Sequence, residues 1–107
     1  MKRMSERGHS ERVERGSRLY DELAKLYPNG SVFHLLTCTP EQAEDVYAVL
    51  VDDRCVVSFE IRRNDADAVA EDVKSVHVEQ YRRGIRGIAQ ADLRAARDLA
   101  RACLKGS

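Results

Sequence analysis

Residues 46–62, VYAVLVDDRCVVSFEIR, decide how the rest of the chain is read. Two apolar, β-branched runs, Val46–Val51 and Cys55–Arg62, flank Asp52-Asp53, a pair that favours a turn over regular structure. This predicts a β-hairpin. A two-residue turn sets Leu50 opposite Cys55, Ala48 opposite Val57 and Val46 opposite Phe59. Those side chains, with Ile61, make one apolar face. The reverse face carries Tyr47, Val49, Val51 and Val56 beside Arg54, Ser58, Glu60 and Arg62, and is greasier than a water-facing sheet should be.

Upstream, Ser31–Thr39 (SVFHLLTCT) reads as a further strand. Thr39-Pro40-Glu41-Gln42 has a cap followed by proline at a first helical position, which predicts one helical turn. Ala43, Val46, Tyr47 and Leu50 also fit a helical stripe, so residues 40–50 admit helix or strand; the β-branched content favours strand. Val73–Val78 suggests a fourth strand after the acidic loop Asn64–Asp72.

Helical spacing appears at both ends. From Glu11 to Tyr27, Val13, Gly16, Leu19, Tyr20, Leu23, Ala24, Leu26 and Tyr27 gather on one side, and Tyr27-Pro28-Asn29-Gly30 ends the run. Near the other end the pattern runs from Glu79 towards Leu104, interrupted by Gly84 and Gly87, so the main helix should begin near Ile88. Its expected buried side is Ile88, Ala95, Ala96, Leu99 and Cys103. Asp92 suits that arrangement only as a first-turn residue near the positive helix end.

The fold class expected is α+β: a small antiparallel sheet of three to four strands with an N-terminal and a C-terminal helix packed on it, in the order α-β-β-β-(β)-α. With 107 residues the chain is the size of one domain, placed at 11–105 after a frayed segment 1–10. Hydrophobic residues at 43% and charged residues at 34% describe a globular chain with a charged exterior. No apolar run reaches the length of a membrane span, and MKRMSERGHS lacks the apolar middle of a secretion signal. Cys38, Cys55 and Cys103 are odd in number, without a CxxC, and read as small core residues of a cytoplasmic protein.

Charge is balanced overall but not along the chain. Residues 1–20 carry +3, residues 40–80 carry −7 and residues 81–107 carry +5, so the basic ends either attract the acidic middle or serve separate partners. On the last helix Gln90, Arg94, Arg97, Arg101 and Lys105 share one narrow arc, which Arg83 and Arg86 extend if the helix is unbroken. Such a stripe suits an acidic protein surface or phosphates, or serves as a solvated face. Zero net charge and 6% aromatics argue against a dedicated nucleic-acid domain.

No nucleotide, hydrolase, metalloprotease or kinase motif is present, and no cofactor is implied. His34 and Cys38 are four residues apart, but on a strand that separates them by about 13 Å, too far to share an ion, so no metal site is expected. Adjacent acidic pairs such as Glu44/Asp45 and Glu71/Asp72 do not make a carboxylate dyad, because neighbours on a strand point to opposite faces. These observations favour a protein-binding module without catalysis, regulatory or inhibitory. It is expected to form a homodimer through Tyr47, Val49, Val51 and Val56, unless one terminal helix covers that face. The alternatives are a nucleic-acid surface built from Arg83, Arg86, Arg94, Arg97 and Arg101, and a small enzyme with a site at His34 or His77.

Overall fold

The computed structural model describes residues 11–29 and 32–106. The expected fraying of residues 1–10 lies outside them. An antiparallel sheet has helices before and after it, as expected. Among the described residues five strands, one more than the expected maximum, follow one another in spatial order: β1 (Glu11–Arg12), β2 (Phe33–Pro40), β3 (Glu44–Val51), β4 (Cys55–Arg62) and β5 (Glu71–His77). Helix α1 (Arg18–Leu26) lies between β1 and β2, and α2 (Val78–Arg83) and α3 (Ile88–Gly106) follow β5.

The hairpin is present, but its turn is one residue longer than expected. Val51 pairs with Cys55, so Asp52, Asp53 and Arg54 form the connection. Asp52 takes a left-handed φ of 53°, which aspartate tolerates better than most residues. Both of its ends are tied to β2: its N–H donates to the Val32 carbonyl at 2.7 Å, and its carboxylate accepts from the Val32 N–H at 2.9 Å.

The extra residue moves β4 by one position against β3, and a one-residue slip exchanges the two sides of a strand. Val49 faces Val57 and Leu50 faces Val56, so the expected grouping of side chains is corrected. On one side Phe33, Val49, Val51, Val57, Phe59 and Ile61 pack with Leu23 of α1. On the other, Val32, Leu36, Ala48, Leu50 and Val56 pack with Val78 of α2 and with Leu93, Ala96 and Ala100 of α3. The helices therefore cover opposite faces of the sheet.

Other boundaries shift for local reasons. Helix α1 begins at Arg18 rather than Glu11, because Gly16 at φ 87° breaks the run and the Ser17 hydroxyl caps by accepting from the Tyr20 N–H. Glu11 and Arg12 instead pair with Leu35 and His34. Thr39 and Pro40 end β2, and the Glu41 N–H donates to the Glu44 carbonyl in a tight turn, where a helical turn was expected. Gly87, at φ 60°, separates α2 from α3 as the glycine spacing predicts. No helix among the described residues is long and apolar enough to cross a membrane. All three cysteines are half-buried.

The inward side of α3 departs from expectation. Leu93, Ala96 and Ala100 face the sheet, while Ile88 is 74% exposed and Leu99 49%. The expected buried side therefore splits: Ala96 and Cys103 pack inward, and Ile88, Ala95 and Leu99 look out. Alanines at the contact let the helix backbone lie close to β2. Asp92 falls a turn inside the helix rather than in its first turn.

His34 is 1% exposed, and its Nδ1 has no hydrogen-bond partner among the described residues. Burial, reinforced by the Arg12 guanidinium, holds its imidazole below the ordinary value. The folded chain thus binds fewer protons than the unfolded one between its lowered value and about pH 6.5, the ordinary histidine value. Stability is complete above that pH and falls as pH drops through the window. In urea unfolding across this range, His34→Leu is expected to remove the decline, whereas a decline as steep as wild type would contradict the assignment.

Candidate functional site

The residues singled out on the sheet do not form one surface. Val49 and Val51 are fully buried beneath α1, and Val56 is buried on the opposite side beneath α2 and α3. Tyr47 is half-buried and stacks on Phe59 with ring centroids 5.5 Å apart; burial, then Cys38 and Asp45, push its phenol up to about 12. The exception allowed for this face applies: α1 covers Val49 and Val51, and Val56 is covered by α2 and α3.

The arginines divide. Arg83 ends α2 and Arg86 lies in the loop before α3, both exposed. The break between the helices keeps them from extending the α3 stripe. Arg94, Arg97 and Arg101 are brought together with Arg82, and with Gln90, Leu93 and Asp98 they line a cleft of about 100 Å³. Gln90 braces its corner: the amide nitrogen donates to the Ile85 carbonyl at 2.9 Å and the Arg82 carbonyl at 3.3 Å.

Behind the cleft lie two carboxylates. Asp53, in the β3–β4 turn, accepts from Arg97 Nε at 2.6 Å through one oxygen and from Arg101 Nε at 2.5 Å through the other. Glu79 of α2 accepts from Arg82 Nε at 2.9 Å and from Arg97 at 3.0 Å. The Arg97 guanidinium, 16% exposed, is the centre of this network. Asp53 first, and Glu79 after it, raise its pKa despite the cost of burial. Arg82, followed by Arg97, holds Glu79 below the usual carboxylate range.

Asp53, read from the sequence as a turn residue, and Glu79 were not among the candidate site residues. The signal that pointed to them was the opposition of an acidic middle and a basic end, realised here as contacts between residues 53 and 101, far apart in the chain. Elsewhere Glu22 is buried at the inner side of α1. Burial raises its carboxyl, but the Ala70 N–H and the Lys25 ammonium together outweigh that and lower it.

The histidine readings find little support in the geometry. Three strand spacings, about 14 Å, separate the strand of His34 from that of His77. The register sets His77 opposite Cys55, yet its Nδ1 accepts from the Glu79 N–H and so caps α2. Among the described residues no group of three or more His, Cys, Asp or Glu is placed to hold a metal ion. Comparison with protein-family models, with curated proteins and with solved structures finds no match to this chain.

The second apolar feature of α3 is its outer side. At about 100° per residue, Ile88, Ala91, Ala95, Leu99 and Ala102 share one face turned away from the sheet. The other exposed large apolar side chains, Leu26, Val69, Val73 and Leu104, do not belong to it.

Asp53→Ala leaves two arginines without their shared carboxylate. It should cost about 2 kcal/mol in urea unfolding, the scale of hydrogen bonds to charged groups in a half-buried site. Arg94→Ala, which breaks no ion pair among the described residues, should cost less than about 0.5 kcal/mol. Equal losses for the two variants would remove Asp53 as the anchor.

Proposed function

We propose that this chain acts by contact rather than catalysis, as a protein-binding module that pairs with a second copy of itself through the outer face of α3. The observation that carries the reading is the exposure of Ile88 and Leu99 on one side of α3 while Leu93, Ala96 and Ala100 face inward. Both sheet faces are covered by the chain's own helices, so they compete poorly for a partner.

The stripe is self-complementary. Two copies of α3 crossing antiparallel about Ala95 bring Leu99 against Ala91 of the second copy and Ile88 against its Ala102. Large side chains then meet small ones throughout, as an isologous two-fold contact requires. Arg94 and Asp98 flank the stripe on one edge, and neither has an ion pair among the described residues. In the antiparallel pair Arg94 of each copy comes beside Asp98 of the other, which adds charge complementarity at the rim.

The nucleic-acid reading has less behind it. Arg97 and Arg101, two of its central arginines, already hold Asp53.

Sedimentation under reducing conditions should show a monomer–dimer equilibrium that shifts with concentration. Leu99→Asp should leave the fold intact, with stability changed by less than about 0.5 kcal/mol, and hold the chain monomeric. A wild-type chain that stays monomeric at every concentration, or a dimer that survives Leu99→Asp, would refute the proposal.

A further inference from the structure

We infer that the cleft between α2 and α3 binds a single phosphoryl group carried by a small molecule. The cleft lies on the flank of α3 beside the sheet, well round the helix from Ile88 and Leu99; Arg94 and Asp98 lie between the two surfaces and border both.

A guanidinium has five N–H donors arranged as a rigid fork. Here the carboxylates take mainly the inner Nε edges: Asp53 that of Arg97 and Arg101, Glu79 that of Arg82. Arg82 and Arg101 therefore keep both terminal nitrogens without a protein partner among the described residues, and Arg97 keeps one. Three guanidinium groups that line one cavity, each held by a carboxylate at its Nε and Arg97 most firmly, are placed to meet an oxyanion.

A cavity of about 100 Å³ holds one tetrahedral oxyanion but not a nucleotide. Arg82, Arg94, Arg97 and Arg101 are offset by Asp53, Glu79 and Asp98, which leaves one net positive charge around the cleft. That residue of charge suits one phosphoryl group. It does not suit a polyanionic backbone, which draws affinity from many uncompensated cations.

Binding is read on the full chain by NMR at constant ionic strength, with inorganic phosphate titrated against chloride. The Arg Nε–H signals of Arg82, Arg97 and Arg101 should shift and saturate with phosphate and not with chloride. Arg82→Gln removes one fork while the Glu79–Arg97 pair stays, and should weaken phosphate binding about tenfold. Lys25→Gln, on α1, should leave it unchanged. No saturable shift with phosphate, or an affinity unaltered by Arg82→Gln in a variant whose circular dichroism is that of wild type, would overturn the inference. So would tight, salt-sensitive binding of a short single-stranded oligonucleotide that weakens equally in Arg82→Gln, Arg83→Gln and Arg86→Gln.

Discussion

The connection Asp52–Arg54 ties β2, α2 and α3 to one short turn. Asp52 holds β2 through both its backbone and its carboxylate on Val32, and the Arg54 carbonyl accepts from the Val78 N–H at the start of α2. Asp53, between them, grips Arg97 and Arg101 of α3. Each bond is modest in water, but here they are half-buried and share one short rigid turn, so they act as a unit. Losing the left-handed conformation at Asp52 would loosen β2, α2 and α3 together.

The same turn distributes the apolar side chains. Its third residue moves β4 against β3 so that each face of the sheet receives a consistent apolar set, one for α1 and one for α2 and α3. The richness of both faces follows from this division: the hairpin is the middle layer of three, and a strand buried on both sides carries little polar alternation. Once each face is closed, the exposed apolar side chains that share one surface lie on α3. The charged network confines α3 in one rotation about its axis, which is why Ile88 and Leu99 look outward and the arginines meet at the cleft.

Much of the fold was legible in the chain. β-Branched content marked β3 and β4, and the glycines at 84 and 87 marked the break before α3. What escaped was whatever depended on a single residue of phase. A two-residue turn was the simpler reading of Asp52-Asp53, and no local signal separates it from a three-residue turn that needs Val32 as its partner. On α3, Ile88 and Leu99 outweigh alanine in any hydrophobic pattern, so the periodicity pointed to a buried side turned too far round. The Ser17 cap and Gly16 were present in the sequence, but the apolar spacing of Val13 and Leu19 carried the helix across them. Of the candidate site, the arginine stripe was visible because it lies on one helix. Its carboxylate partners come from a turn and another helix, and only the opposed charges of the middle and the end pointed towards them.

The central claim is that both sheet faces are closed within the chain while the outer side of α3 is open. Methyl NMR of the dilute protein with a soluble paramagnetic agent tests it directly. The account predicts strong broadening of the Ile88 and Leu99 methyl signals, with those of Val49, Val51, Leu50 and Val56 left sharp. Broadening of Val49 and Val51 comparable to that of Ile88 would mean that α1 does not cover the sheet, and would contradict the account.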